Sequence, residues 1–141
     1  DLFCGIGGLT HGFTQEGFEV VAGFDIDDSC KFAFEYNNRS TFIKKDIRKI
    51  DPIDIISLYK NRNRKILVGC APCQPFSNLT KKQSVTSEKW NLLYEFSRLI
   101  EKIQPEIISM ENVPQLKKFN NGKIFEDFVS NLKKHGYCVN H

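Results

Sequence analysis

Short apolar runs alternate with amphipathic stretches along the whole chain. Four apolar runs predict buried strands, at residues 19–24, 41–44, 65–69 and 106–110. Residues 1–3 resemble the end of a further strand, and residues 137–139 the beginning of another. These separate segments are therefore predicted to form the strands of a sheet.

Helical periodicity fills the segments between these runs. The clearest helix is marked by apolar residues three and four apart at Leu92, Leu93, Phe96, Leu99, Ile100 and Ile103. Further helices are predicted from near Leu9, at 28–37 with Asp27 or Asp28 able to cap, and at 52–59 with Pro52 in the first turn. A last helix is marked by Ile124, Phe125, Phe128, Val129 and Leu132, and it ends near Gly136.

Strands that alternate with helices predict an α/β fold with a largely parallel sheet and helices on both faces. Sheets of this kind bind ligands at the carboxyl ends of their strands. The residues of unusual chemistry fall at those ends, at 3–8, Asp25, Asp46, 70–77 and 111–114. The sequence therefore predicts one site assembled from several strand ends.

Composition narrows the class of protein. With 141 residues, 40% of them hydrophobic, the chain suits one domain with a real core. A net charge of +3 permits a nucleic-acid partner without demanding one. Five scattered cysteines are typical of a reducing compartment, and no membrane span or leader is evident, so a cytoplasmic protein is expected. The abrupt opening on Asp1 predicts a piece of a larger protein.

The first strand end carries a glycine-rich turn at Gly5, Gly7 and Gly8, where the backbone can approach a ligand closely. Its spacing is neither the dinucleotide pattern nor a phosphate loop. Taken alone, the turn is more simply a tight connection between a strand and a helix.

Two later strand ends favour a nucleoside ligand. Asp25 can accept hydrogen bonds from ribose hydroxyls, and Asp46 can accept one from an adenine amino group. Ile26 and Ile47 offer apolar contact to the adenine ring. Each aspartate alone could be a helix cap. Together with the glycine turn they predict a nucleoside site that lacks a phosphate-binding element, which suits S-adenosylmethionine better than ATP or NAD.

The segment 69–77 contains Cys70 and Cys73 in a C-x-x-C arrangement between prolines. A zinc site would need two more ligands at matching spacing, and a redox pair is expected at a helix start. Pro72 and Pro75 restrict the backbone and would hold a thiol in place. A covalent nucleophile at Cys73 fits this loop better. Glu111 ends another apolar strand and should face the same edge, although a structural carboxylate remains an alternative.

These strings resemble conserved motifs of the cytosine-5 DNA methyltransferase family. The first, fourth and sixth motifs match Asp1-Leu2-Phe3-Cys4-Gly5-Ile6-Gly7-Gly8, Pro72-Cys73-Gln74 and Glu111-Asn112-Val113. Asp25 and Asp46 match the second and third. The resemblance covers nearly the whole chain, and it implies a Rossmann-like S-adenosylmethionine-dependent fold that is truncated at its C-terminus.

The resemblance also implies roles for individual residues. Cys73 and Glu111 are expected to be catalytic, acting on a cytosine flipped out of double-stranded DNA. Contacts to the cytosine or DNA are expected from Gln74, Ser77, Asn112 and Val113. Cofactor contacts are expected from Phe3, Cys4, Gly5, Ile6, Gly7, Gly8, Leu9, Asp25, Ile26, Asp46, Ile47, Pro72 and Leu92.

The family's target-recognition region and closing motifs are not found within residues 1–141, which are therefore expected to form a partial catalytic domain. By itself this piece is expected to be inactive. A bacterial restriction–modification enzyme near the nucleoid is the leading hypothesis, with no metal and no membrane partner. The alternatives are a split subunit that needs a complementing chain with the target-recognition region, or an enzyme that methylates tRNA.

Overall fold

The structure is a computed structural model that describes residues 1–60, 64–72 and 91–141. These residues form helices and strands in strict alternation. The elements are α1 (Gly8–Gln15), β1 (Ala22–Asp25), α2 (Lys31–Asn38), β2 (Thr41–Lys44), α3 (Pro52–Tyr59), β3 (Ile66–Gly69), α4 (Asn91–Ile103), β4 (Ile107–Met110) and α5 (Lys123–Lys134).

All strand pairs are parallel, as the alternation predicted. β1 pairs with β2, and β3 pairs with β4. Leu2 joins the two pairs, because it bridges Phe24 of β1 on one side and Gly69 of β3 on the other. The amide of Leu2 donates to the carbonyl of Val68 at 2.8 Å. The order across the sheet is therefore β2, β1, the segment at Leu2, β3 and β4, and Leu2 contributes an isolated bridge where the sequence predicted the end of a strand.

Aspartate caps set several of the element boundaries. The Asp27 carboxylate accepts from the Ser29 amide at 3.0 Å and begins a short 3₁₀ turn, Asp28–Cys30, ahead of α2. The Asp51 carboxylate accepts from the Ile53 amide at 3.0 Å, directly before Pro52 at the start of α3. Both caps satisfy amides that a helix start leaves without a partner in the helix. Asp27 thus caps the start of the segment predicted as a helix at 28–37, although that segment begins as a 3₁₀ turn and α2 itself begins at Lys31.

The largest differences between the predicted and the observed elements concern two strand segments. The first strand begins at Ala22 instead of residue 19, and the Val20 carbonyl accepts from the Ser40 hydroxyl at 2.7 Å instead of joining a ladder. Residues 137–139 form no strand in the described structure, so that prediction is wrong. There the Tyr137 hydroxyl donates to the Pro105 carbonyl at 2.7 Å, which holds the segment beneath the end of α4.

Helices cover both faces of the sheet. On one face, α3, α4 and α5 contribute to the larger core, where Phe96, Leu99 and Ile100 are at most 1% exposed. On the other face, Cys4, Phe34 and Phe42 form a smaller cluster beneath α2. A side chain at Gly23 of β1 would overlap the Phe34 ring, so glycine lets α2 lie close to the sheet. No helix in the described ranges is long and apolar enough to cross a membrane.

Candidate functional site

The carboxyl ends of the parallel strands meet at one edge of the sheet, and the predicted site residues gather there. This edge carries residues 3–8, Asp25, Asp46, residues 70–72 and Glu111. The predicted residues Cys73, Gln74 and Ser77 lie outside the described residues.

The turn at residues 3–8 has an unusual backbone. Phe3, Gly5 and Gly7 have positive φ angles of 57°, 50° and 90°. The left-handed region is uncommon for a residue with a side chain and costs free energy at Phe3. The Gly7 amide donates to the Cys4 carbonyl at 2.8 Å, which closes the turn, and Gly7 then caps α1. The turn leaves Ile6 65% exposed at the edge, where a ligand could contact it.

Asp25 holds this turn from the neighbouring strand. One carboxylate oxygen accepts from the Gly5 amide at 2.8 Å, and the other accepts from the Asp27 amide at 3.0 Å. The sequence suggested a ribose contact for Asp25 and did not suggest this second role. A carboxylate oxygen can accept more than one hydrogen bond, so the ribose contact stays a prediction. The structure adds that Asp25 shapes the glycine turn itself.

Gly7 is enclosed by α2. A Cβ at this position would overlap Asn38 Nδ2 and lie 2.8 Å from the Phe34 ring. Asn38 is buried, and its Nδ2 donates to the Phe34 carbonyl at 2.9 Å, so it has little freedom to move aside. The glycine turn is therefore packed against α2 as well as held by Asp25. Asn38 was missed at the sequence level because its position in α2 carries no motif.

This packing predicts that Gly7→Ala destabilises the fold. We expect a loss of about 2–4 kcal/mol in the free energy of unfolding, from overpacking against Asn38 and from the positive φ. Urea denaturation followed by circular dichroism measures it. Gly8→Ala is the matched control, because a Cβ at Gly8 meets no heavy atom within 4 Å. Equal stabilities for the two variants would contradict the packing argument.

Asp46 is engaged by Arg48. The Arg48 Nε lies 3.0 Å from both carboxylate oxygens, and the Arg48 amide donates to one of them at 3.0 Å. The hydrogen bonds from Arg48 lower the pKa of Asp46. Ile47 is buried in the core, whereas Ile26 is 62% exposed. The adenine contacts expected of Asp46, Ile26 and Ile47 stay predictions, and Asp46 would share its carboxylate with Arg48.

Hydrogen bonds continue the β3–β4 pairing beyond the ends of the strands. The Glu111 amide donates to the Gly69 carbonyl at 3.1 Å, and Asn112 Nδ2 donates to the Ala71 carbonyl at 3.1 Å. These contacts place Glu111 at the same edge as Ala71 and Pro72, as the sequence predicted. Asn112, expected to contact the substrate, also ties β4 to the segment that leads to Cys73.

Glu111 is exposed and lies beside α1. Together with Gly8, Leu9 and Gly12 it lines an open cavity of about 470 Å³. The predicted catalytic carboxylate and the predicted cofactor residues Gly8 and Leu9 thus lie on one open surface, which continues along α1 to Phe13 and Glu16. Leu92 and Pro72 are half-buried, and Val113 is 38% exposed. A cavity of about 560 Å³ lies at the starts of β1 and β3, but none of the predicted site residues lines it.

Cys4 and the described metal-ligand candidates bear on the chemistry outside residues 73–90. Burial raises the pKa of the Cys4 thiol to about 12, so Cys4 is a neutral packing residue and no candidate nucleophile. Within residues 1–60, 64–72 and 91–141, no group of three or more His, Cys, Asp or Glu side chains could hold a metal ion.

The chain is similar to known methyltransferases along its full length. Residues 1–141 match the family described as C-5 cytosine-specific DNA methylase. The Type II methylase M.HgiDII of Herpetosiphon aurantiacus is 58% identical over 141 residues, which are 100% of this chain and 40% of that protein. The Type II methyltransferase M.BsuFI of Bacillus subtilis is 34% identical over 99% of this chain and 32% of its own length. The chain thus spans well under half of these relatives.

A shorter relative and two solved structures agree with this match. The Type II methyltransferase M.HgiGI of Herpetosiphon aurantiacus is 34% identical over 80% of this chain and 87% of its own length. A protein described as a DNA modification methyltransferase from an E. coli prophage superposes with a TM-score of 0.78 at 27% identity, covering 95% of this chain and 37% of that one. Entamoeba histolytica EhMeth superposes with a TM-score of 0.68 at 24% identity, covering 99% of this chain and 44% of its own, and supports the fold alone.

Proposed function

Because this chain belongs to the C-5 cytosine-specific DNA methylase family, we propose that it carries the catalytic part of an enzyme that methylates carbon 5 of cytosine in DNA. The observation that carries the proposal is the single strand-end edge. There Asp25 holds the glycine turn, and Glu111 shares a cavity with Gly8 and Leu9. The relatives named above are Type II methyltransferases, and we assign this chain to the same restriction–modification setting.

The described residues fit S-adenosylmethionine as the methyl donor. The glycine turn has no phosphate-binding lysine, and carboxylates stand at the two neighbouring strand ends, where ribose hydroxyls and an adenine amine would find acceptors. When bound, the cofactor supplies an electrophilic methyl group. The residues proposed to hold it are Phe3, Cys4, Gly5, Ile6, Gly7, Gly8, Leu9, Asp25, Ile26, Asp46, Ile47, Pro72 and Leu92.

The protein's own residues would carry the chemistry on a flipped cytosine. The Cys73 thiolate adds to carbon 6 of the ring, and Glu111 hydrogen-bonds the ring nitrogen and the exocyclic amine. The contact with Glu111 offsets negative charge that develops on the ring as the thiolate adds. Carbon 5 becomes nucleophilic and accepts the methyl group. A water molecule then takes the proton from carbon 5, and the electron pair left behind expels Cys73 as a thiolate and restores the aromatic ring.

The Asn112 side chain stabilises this arrangement through a hydrogen bond to the backbone. Because its side chain holds the Ala71 carbonyl while Glu111 pairs with Gly69, the two strand ends that carry the proposed catalytic groups are joined directly. Preorganised groups lower the free-energy cost of reaching the reactive geometry. Gln74, Ser77, Asn112 and Val113 are proposed to face the cytosine or DNA. We propose that residues outside 1–141, or a complementing chain, read the DNA sequence.

The proposal is tested by measuring which nucleic acid, duplex DNA or tRNA, accepts the methyl group. The full-length protein is incubated with S-adenosylmethionine carrying a labelled methyl group, with duplex DNA and with tRNA in parallel reactions. We expect label in the duplex DNA, recovered as 5-methylcytosine after nuclease digestion, and none in tRNA. Label confined to tRNA would contradict the proposed substrate. Label in neither acceptor would contradict methyl transfer by this protein alone and would favour a split subunit that needs a complementing chain.

A further inference from the structure

Arg98 of α4 reaches across to the segment that follows β2. One terminal guanidinium nitrogen lies 3.3 Å from the Ile47 carbonyl oxygen and 3.2 Å from the Ile50 carbonyl oxygen. These residues are 51 and 48 positions away in sequence. A guanidinium can bridge two carbonyls because its donors are held in one plane. Arg98 therefore joins two parts of the chain that no local pattern connects.

The two carbonyls belong to the turn directly after Asp46. Ile47–Lys49 is a 3₁₀ turn, in which the Ile50 amide donates to the Ile47 carbonyl at 3.3 Å. Ile47 and Ile50 are 6% and 2% exposed, so their backbone lies largely out of water. A charged donor makes a stronger bond than a neutral one at such a place. Arg98 thus adds two polar contacts to the apolar packing of Ile47 and Ile50 against the core.

Glu95 holds the guanidinium from the other side. Arg98 Nε donates to a Glu95 carboxylate oxygen at 2.6 Å, one helical turn earlier on α4. The two side chains are 34% and 26% exposed, so solvent screens the pair only in part. The carboxylate, the guanidinium and the two carbonyls form a continuous connection from α4 to the turn. α4 also carries Leu92 near its start.

We propose that Arg98 is a positioning residue for the cofactor. It fixes the segment at Asp46 and Ile47 relative to Leu92, so that two walls of the nucleoside pocket are in place before the ligand arrives. Arg98 acts through these groups and does not contact the ligand. The inference rests on the proposed function, because that function assigns Asp46, Ile47 and Leu92 to the cofactor.

The first test is the affinity of full-length Arg98→Met for S-adenosylhomocysteine, measured by calorimetry. Methionine keeps an unbranched stem and removes every guanidinium hydrogen bond. We expect the Kd to rise about tenfold, which corresponds to about 1.4 kcal/mol of binding free energy lost when the pocket walls must be ordered by the ligand itself. The Kd of adenosine should rise by the same factor, since the displaced walls face the nucleoside. Lys102→Met, on the exposed side of α4, is the matched control and should leave both Kd values unchanged.

Kinetics separate positioning from a general structural role. In Arg98→Met the KM for S-adenosylmethionine should rise with the Kd, while kcat at saturating cofactor and the Kd for duplex DNA stay within about twofold of the wild-type values. Arg98→Lys keeps the charge and one donor to the carbonyls, so it should recover part of the affinity. A fall in DNA affinity as large as the fall in cofactor affinity would overturn the proposal.

The wild-type titration separates this inference from the proposed function. A wild-type protein that bound no S-adenosylhomocysteine would contradict the proposed function. Wild-type binding together with an unchanged Kd in Arg98→Met would overturn only the role of Arg98. If Arg98→Met fails to fold, Glu95→Gln decides. Glu95→Gln keeps Arg98 but weakens the hydrogen bond that orients its guanidinium, and we expect a Kd about threefold above that of the wild type. An unchanged Kd in Glu95→Gln would then overturn the proposal.

Discussion

Replacing Cys73 with serine in the full-length protein is expected to reduce methyl transfer by roughly 10⁴- to 10⁶-fold, the scale on which covalent nucleophiles contribute. The reason is ionisation. A thiol is a few per cent thiolate near neutrality and is intrinsically very nucleophilic, whereas a serine hydroxyl is essentially never ionised there without a base. The chemistry proposed for the Pro72-Cys73-Gln74 segment begins with addition of that thiolate to carbon 6.

Covalent trapping measures this directly. In the presence of S-adenosylmethionine, DNA that contains 5-fluorocytosine should form a complex with the full-length wild-type protein that survives denaturing electrophoresis. After methyl transfer, carbon 5 carries fluorine and no proton that could be lost to release the enzyme. Cys73→Ser should form none. Cys70→Ser, which removes the other thiol of the C-x-x-C pair, should still form the complex. Persistent trapping in Cys73→Ser would exclude Cys73 as the nucleophile, and loss of trapping in Cys70→Ser would revive the paired-thiol alternatives.

Replacing Glu111 with glutamine is expected to slow methyl transfer about 10²- to 10³-fold, the cost of removing one group that stabilises developing charge. Glutamine keeps the size of the side chain and can still hydrogen-bond, but its amide is a much weaker acid than a carboxyl group and stabilises the developing negative charge less. The backbone of Glu111 should stay in place, since its amide pairs with the Gly69 carbonyl. The effect should therefore be confined to chemistry.

Single-turnover kinetics at saturating cofactor and DNA check this second expectation. The rate of the chemical step should fall, while the Kd for DNA changes by less than about threefold, because the interaction is made chiefly in the transition state. Glu106→Gln is the matched control. Glu106 precedes the opposite end of β4, and its carboxylate accepts from the Lys65 amide at 2.6 Å, away from the proposed site. A chemical step of unchanged rate in Glu111→Gln would assign that carboxylate a structural role.

Much of the fold could be predicted from local signals. The predicted helix at 52–59 agrees with α3 at both ends, because an aspartate cap and a proline determine where the first turn begins. The spacing from Leu92 to Ile103 agrees with α4, because those side chains form one buried stripe. The predicted strand at 19–24 was less accurate, since strand bounds depend on which backbone groups find partners across the sheet. The strand predicted at residues 137–139 was wrong for the same reason.

Sequence alone determined the order of the elements, the family resemblance and the positions at which reactive residues should stand, because caps, periodicity and motif strings are local. Only the tertiary structure decided how those positions are held. The contacts of Asp25 with Gly5, Asn112 with Ala71 and Arg98 with Ile47 span 20, 41 and 51 residues. Hydrogen bonds over such distances follow from how the strands and helices pack, and no short pattern along the chain records that packing.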